Sequence, residues 1–314
     1  MTQKKTWREL CAAPEPLLLP CAHDGLSARL IERAGFKAFS IGGFPLVGAR
    51  YGLPDIGLVG LGEMAAGMRD ILAATDLPVL VDGDNGYGDA KNVARTLRTY
   101  ETMGASAIFF EDQVLPKRCG HMAGKAVVPV EVMEEKLRAA AAAKTNPDTF
   151  LLARTDARAL YGLDDALRRG ERYLKAGADG VFIEAPESLE ELAIVGRTFA
   201  GVPQLANMLE GGRTPLLKPK DLKAMGFAMV AYPTTLIFRV ARTIERALQD
   251  LAAGRLNLEG EGVDFDTFKD VIGFKDWMHW ETFAAQPVRE TAPPKPPRRH
   301  RPLVQRQEHT HESF

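Results

Sequence analysis

Cysteine is scarce in this chain: Cys11, Cys21 and Cys119 are the only three in 314 residues. An odd, scattered set makes no disulfide framework and shows no metal-ligand spacing, which suits a reducing compartment. No apolar run approaches the roughly 18 residues of a membrane span. The opening MTQKKTWREL has no apolar stretch behind its lysines and is not read as a secretory signal. An excess of one charge is missing as well. The 40 Lys and Arg stand against 41 Asp and Glu, so no net field draws in nucleic acid or an acidic membrane. No glycine-rich dinucleotide fingerprint follows the first apolar run, and no internal repeat is visible. These absences leave a cytoplasmic enzyme as the expectation, and 46% hydrophobic residues suffice for a large core.

What is present is alternation. Short apolar runs at 17–24, 38–43, 78–84, 107–113, 149–157, 180–185, 203–209 and 229–234 read as strands. Near-continuous apolar runs suit parallel strands buried on both faces. Helical patterns lie between them, as at 89–104, 128–144 and 163–177. In the last, Leu163, Ala166, Tyr173 and Leu174 share a face. Glycine falls just past a helix in AGF (34–36), MGA (103–105), AGADG (176–180) and MGF (225–227), where a left-handed cap is wanted. Eight βα units in about 230 residues predict a (β/α)8 barrel of the TIM type, with a doubly wound open sheet as the alternative. A further helical segment, 265–285, carries Trp277 and Trp280, so the barrel domain is set at 1–285. Residues 286–314 turn rich in Pro and Arg and read as a disordered tail.

Barrel active sites lie at the C-terminal ends of the strands. Here the apolar runs stop at His23-Asp24, Gly42-Gly43, Asp82-Gly83-Asp84, Glu111-Asp112-Gln113, Arg154-Thr155-Asp156, Glu184 and Asn207. Any one of these could be a cap or a surface ion pair; their convergence on one mouth points to a site. Asp82 and Asp84, two apart, would share a strand face. With Glu111 they make a set of hard oxygens of the kind Mg²⁺ takes, while Asp89 is left to cap the next helix. A second cluster, Lys117, Arg118, Cys119 and His121, falls within five residues on a long loop with Gly120 and Gly124. The cations suit an anionic substrate and should lower the thiol's pKa. The glycines would let the loop close as a lid. The bland reading is a mobile basic loop with an incidental cysteine. Cys21, inside LLLPCAHD, reads as a core thiol.

DGDNGYGD (82–89) and PKRCGH (116–121) resemble the metal-site and lyase signatures of the isocitrate lyase/phosphoenolpyruvate mutase superfamily. The likeness extends through GLPD (52–55), EDQ (111–113), ARTDA (153–157), Glu184 and ANMLEGGRTP (206–215), over roughly residues 7–285. It implies a Mg²⁺-dependent carbon–carbon lyase, Mn²⁺ being a possible substitute, that cleaves a 2-hydroxy di- or tricarboxylic acid by retro-aldol chemistry. The 2-methylisocitrate and 2,3-dimethylmalate types lead, giving an α-keto acid such as pyruvate with succinate or propionate. By that resemblance Asp82, Asp84, Glu111 and Asp55 belong to the metal. Gly42, Gly43, Asp82, Arg118, Gly120, Arg154 and Asn207 would hold the substrate, with Glu184 helping Arg154. Cys119 would protonate the carbanion, tuned by Lys117 and His121. The resemblance further implies a homo-oligomer, a tetramer, in which the extra C-terminal helix is exchanged between subunits.

One segment departs from the pattern. Where relatives that cleave 2-methylisocitrate place Tyr and Ser-Gly-Gly, this chain has Ser40, Gly42 and the bulk of Phe44-Pro45. The exact acid, and the base for its hydroxyl proton, stay open, with Tyr87 a candidate base. A carboxyphosphonoenolpyruvate mutase-like enzyme and an oxaloacetate decarboxylase or hydrolase are the alternatives.

Overall fold

The computed structural model describes residues 5–256 and 260–284. Eight strands lie within the eight apolar runs: β1 (Leu17–Pro20), β2 (Phe39–Ile41), β3 (Val79–Asp82), β4 (Ala107–Glu111), β5 (Phe150–Thr155), β6 (Gly180–Ile183), β7 (Leu205–Asn207) and β8 (Met229–Tyr232). β2 to β6 neighbour one another in chain order, and β7, β8 and β1 form a second run. Every pairing is parallel. Single bridges, Cys21 to Ser40 and Val181 to Gln204, join the two runs at both edges. The ring therefore closes into the expected (β/α)8 barrel.

Side chains alternate across a strand, and here the alternation separates two cores. Leu17, Leu19, Ala38, Leu80, Ala107, Phe109, Phe150, Leu152, Phe182, Leu205, Met229 and Ala231 fill the barrel interior as one cluster. The residues between them, such as Val79, Val81, Ile108, Phe110, Leu151 and Ala153, face outward and pack with the helices. The helix Trp7–Cys11 adds Trp7 and Cys11 to the interior cluster. Arg8 pairs with Asp179 and reaches the carbonyl of Pro147, both just ahead of strands, so this helix seals the end where strands begin. That end of the barrel interior is filled, and the C-terminal ends of the strands lie at the other.

The glycines read as helix stops, Gly35, Gly104, Gly177 and Gly226, all have positive φ. Asp89 caps the helix Ala90–Thr102 through the N–H groups of Lys91 and Asn92. The helix Leu163–Lys175 buries Ala166 and Tyr173, as its spacing predicts, together with Arg169 and Gly170. The helix Thr235–Ala252, which follows β8, has no buried residue; Phe238, Ile244, Leu248 and Leu251 are 42 to 59% exposed. Among the described residues no helix is long and apolar enough to cross a membrane.

The segment expected as one helix over 265–285 is two, Phe265–Val271 and Phe274–Ala284. They part at Gly273, whose φ of 72° a side-chain-bearing residue resists. The chain divides into two compact units at the same point, Ile272 closing the first and Gly273 opening the second. In the second, Trp280 meets Phe283 edge to face. The expected tail, 286–314, lies outside the described residues.

Candidate active site

The inward series of each strand, counted by twos, ends on a residue lining one cavity. β1 gives Leu17, Leu19, Cys21; β2 gives Ala38, Ser40, Gly42; β3 gives Leu80, Asp82. β4 gives Ala107, Phe109, Glu111; β5 gives Phe150, Leu152, Arg154; β6 gives Phe182, Glu184. β7 gives Leu205, Asn207, and β8 gives Met229, Ala231, Pro233. All eight terminal residues line the cavity, which measures about 70 Å³. Small-molecule pockets usually begin near roughly 300 Å³, so this one is tight for a ligand. Lys117, Arg118, Cys119 and Gly120 of the long loop complete its lining.

On one side stand the acids. Asp82 is buried; its Oδ2 accepts the Gly43 N–H at 2.9 Å and its Oδ1 the Asp84 N–H at 2.9 Å. Burial, then the Asp84 carboxylate, pushes the Asp82 carboxyl up to about 6. Asp84 does not continue the strand. It turns into the left-handed region at φ 48°, so alternation is not what aligns it with Asp82. Its carboxylate instead lies 2.6 Å from Lys117 Nζ, and Asp55 holds the same ammonium at 2.5 Å. Burial disfavours the Lys117 charge, but Asp84, Asp55, Asp82 and Glu111 together outweigh it and hold the pKa well above the usual lysine value. The four expected metal residues are thus divided: Asp55 and Asp84 grip Lys117, and Asp55, Asp82 and Glu111 line the cavity while Asp84 does not.

Opposite them lies an arginine-centred group. Arg154 reaches Asp156 through Nε at 3.0 Å and NH2 at 3.2 Å, with Glu111 at 3.4 Å and Glu184 at 4.0 Å. Its guanidinium stacks on Phe182, 5.2 Å from the ring centre. Asn207 donates to Glu184 at 3.2 Å. His121 Nδ1 accepts the Arg213 N–H at 3.0 Å, which leaves the ring proton on Nε2, facing Glu184 Oε1 at 3.0 Å. Burial would raise the Glu184 carboxyl, but Arg154 first and His121 second hold it below its ordinary value.

The loop is braced over both. Gln113 accepts the Arg118 N–H and donates to the Arg118 carbonyl, and the Cys119 N–H reaches the Asp55 carbonyl at 3.2 Å. Gly120 is required here: a Cβ would run into Arg154 and Glu184. Arg118 lines the cavity, but it is exposed and its guanidinium turns back onto the Ala123 carbonyl.

Four expectations are corrected. The Cys119 thiol is raised, not lowered: burial dominates, and the His121 N–H and Arg154 only partly oppose it. Asp24 caps the helix Gly25–Arg33 by accepting the Ser27 N–H, the His23 N–H donates to Ser27 Oγ, and neither residue lines the cavity. Tyr87 places its hydroxyl 3.2 Å from that of Tyr100, away from the cavity, and burial pushes its pKa well up, so it is no base for a bound hydroxyl. Cys21 is a cavity wall as well as a core thiol, its sulfur accepting the Gly42 N–H at 3.1 Å. Asp156, Asp112 and Lys125 were missed as a connected set. The only sequence signal for them was a run of charges beside apolar strand ends.

Among the described residues no three acid, thiol or imidazole groups close up into a ready-made metal cage. Glu111 Oε1 is nonetheless buried without a hydrogen-bond partner. Mg²⁺ is commonly held by one or two carboxylates, the remaining positions going to water and substrate oxygens. Asp82 and Glu111 fit that pattern.

A closed (β/α)8 barrel whose mouth carries paired acids, a buried arginine and a cysteine loop defines an enzyme acting on a small anionic acid. Residues 7–252 match the model of the phosphoenolpyruvate phosphomutase family. A 2,3-dimethylmalate lyase from Eubacterium barkeri is 42% identical over 274 residues, covering 87% of this chain and 93% of that protein. The solved oxaloacetate acetylhydrolase, in complex with the inhibitor 3,3-difluorooxalacetate, superposes with a TM-score of 0.86 at 32% identity, over 91% of this chain and 98% of that one. Phosphonopyruvate hydrolase, solved with oxalate and Mg²⁺, gives 0.79 at 27%, over 90% and 99%. The chain belongs to the phosphoenolpyruvate mutase/isocitrate lyase superfamily, as a carbon–carbon lyase of that group. The superfamily uses a divalent metal.

Proposed function

We propose that this enzyme uses Mg²⁺ to cleave an alkyl-substituted 2-hydroxy dicarboxylic acid of the 2,3-dimethylmalate type, releasing a keto acid such as pyruvate. The single observation that carries this reading is the split character of the cavity wall. Arg154 is a buried cation facing the cavity, whereas Lys117 is taken by Asp55 and Asp84 and Arg118 points away. One carboxylate therefore goes to Arg154 and the other to the side of Asp82 and Glu111. Phe44, Pro45, Leu209 and Pro233 offer alkyl groups an apolar wall, and among the described residues Arg154, Lys117 and Arg118 are the cations that line the cavity.

A divalent ion held by Asp82 and Glu111 would supply Lewis-acid polarisation of the keto-acid oxygens. The chain does the rest. Arg154 fixes the second carboxylate, and Glu184, tied to Asn207 and His121, keeps the guanidinium in place. As the 2-hydroxyl proton passes to water and its oxygen becomes the keto group, the carbon–carbon bond breaks and its electron pair passes to the carbon beside that carboxylate. The Cys119 S–H then gives its proton to this carbon, leaving a thiolate. A thiol raised by burial stays protonated until it is needed, which suits an acid better than a lowered one. The apolar face of Thr235–Ala252 supports a homo-oligomer, a tetramer, and the balanced charge supports a cytoplasmic protein with no nucleic-acid partner.

The test is a steady-state assay of the Mg²⁺-loaded protein on 2,3-dimethylmalate, 2-methylisocitrate, oxaloacetate and phosphonopyruvate. Dimethylmalate should have the highest kcat/KM. Preferred turnover of the tricarboxylate, or of the phosphonate, would reject the reading.

A further inference from the structure

Lys125 is a buried ammonium that the chemistry above does not use. It is the last residue but one of the loop before the loop rejoins the barrel, where Val127 bridges to Gln113 and the Val128 N–H reaches the Asp112 carbonyl at 2.8 Å. Its side chain is 2% exposed. Nζ donates to the Gly120 carbonyl and, at 2.7 Å, to Asp156 Oδ1. The first contact is with the loop residue seated against Arg154 and Glu184. The second is with the carboxylate that holds Arg154 by two hydrogen bonds.

Asp156 cannot follow the loop. Its own N–H donates to Asp112 Oδ1 at 2.9 Å, and Asp112 Oδ2 accepts from Thr155 Oγ1, Tyr173 and Arg169 at 2.7, 2.8 and 3.2 Å. All three of Asp112, Asp156 and Tyr173 are buried. The anchor is thus part of the barrel, and Lys125 is the movable half. An ammonium loses its hydration on burial and recovers that loss only with its partners in place. For Lys125 both partners are available only when Gly120 lies over the cavity. Seating the loop and completing the charge balance around Asp156 are then one event.

We propose that Lys125 is a positioning residue, a latch that holds the 114–126 loop shut against Asp156 and so couples closure over Cys119 to the setting of the Arg154 guanidinium. This rests on the loop acting as a lid over a lyase site, but its first test needs no turnover. Full-length wild type, Lys125→Met and Lys125→Arg are treated with iodoacetamide without ligand, and alkylation is followed peptide by peptide. In Lys125→Met, Cys119 should react roughly 10–100-fold faster, the scale of losing a hydrogen bond to a charged group. Cys11, buried in the helix that seals the opposite end of the barrel, should keep its wild-type rate, and Lys125→Arg should recover most of the protection. Mg²⁺ with pyruvate should shield Cys119 in wild type and Lys125→Arg, and far less in Lys125→Met. On the best acid of the panel, Lys125→Met should lose kcat, with Lys125→Arg restoring it in part.

An unchanged Cys119 rate in folded Lys125→Met overturns the proposal. So does an equal rise at Cys11, which would mean general loosening of the barrel. If Lys125→Met does not fold, Lys125→Gln, which keeps a donor for the Gly120 carbonyl without the charge, must show the same selective rise at Cys119. Failure of every acid in the assay would sink the lyase reading and leave the alkylation result standing.

Discussion

Replacing Asp82 with asparagine should stabilise the metal-free protein as pH rises, while abolishing turnover. The folded Asp82 carboxyl sits at about 6 because it is buried and lies beside Asp84; an unfolded aspartate titrates near about 3.9. A carboxyl raised on folding favours the folded state below the unfolded value, and that contribution is lost as pH climbs through the folded value. The full difference, about two units, amounts to about 3 kcal/mol. Over the practical window of pH 5 to 8, wild type should lose about 1.4 kcal/mol from this one group, and Asp82→Asn should lose none of it. The substitution also carries a fixed cost. Asparagine has one acceptor oxygen where Asp82 uses two, on the Gly43 and Asp84 N–H groups, and an unpaired buried donor costs about 1–3 kcal/mol. That cost is independent of pH, so it shifts the two curves apart without changing their slopes. Urea unfolding of both proteins in EDTA, at pH 5, 6, 7 and 8, measures the difference directly. Curves that run parallel, or a difference that falls with pH, would refute the reasoning. Saturating Mg²⁺ should remove most of the slope from wild type, because an ion bound only to the folded state offsets the cost of the charge.

Cys119→Ser should lower cleavage on the order of 10²–10⁴-fold, as for other positioned acids, with little change in pyruvate binding measured by calorimetry; near-normal turnover would remove the thiol from the mechanism. Gly120→Ala should cost about 10²-fold or more in kcat/KM, the scale of an ångström's misplacement, because its methyl group displaces Arg154 or Glu184; steady-state kinetics beside an unchanged melting curve would show it. Asp179 is held below its ordinary range: burial opposes this, but Lys144, the Leu151 N–H and Arg8 prevail. Its stabilisation is present above the unfolded value and fades as pH falls through the folded one, so Asp179→Asn should be less stable than wild type at pH 7 and converge with it toward pH 3, followed by thermal unfolding. Light scattering should give a mass well above one 34.3 kDa chain, and a monomer at micromolar concentration would contradict the oligomer.

Much of the barrel was legible because parallel strands buried on both faces write themselves as apolar runs, and all eight did. The extra helices were harder. Gly273 breaks a pattern that periodicity alone joins, and the Trp7–Cys11 helix is too short to show a period. Within the site, residue type was legible and pairing was not. Asp55, Asp84 and Lys117 were each noticed, yet no spacing says that Lys117 occupies both acids. Cys21 illustrates the remedy. Read as one residue in LLLPCAHD it looks like core, but counted by twos from Leu17 it falls at the mouth, level with Ser40 and against the Gly42 N–H. The lowered pKa expected for Cys119 failed for a related reason: neighbours in sequence supply charge, but the fold decides burial, and burial won.

The ring of terminal inward residues is not uniform around its circumference. β3 to β7 contribute Asp82, Glu111, Arg154, Glu184 and Asn207, a continuous ionic and polar arc. β8, β1 and β2, also adjacent, contribute Pro233, Cys21 and Gly42, an arc without a formal charge. On the proposed reading, bond-breaking and recognition of side groups would fall largely to different sectors of one circle. Substitutions in the uncharged sector can reshape the space offered to an alkyl group while the charged sector, held by its own ion pairs, stays as it is.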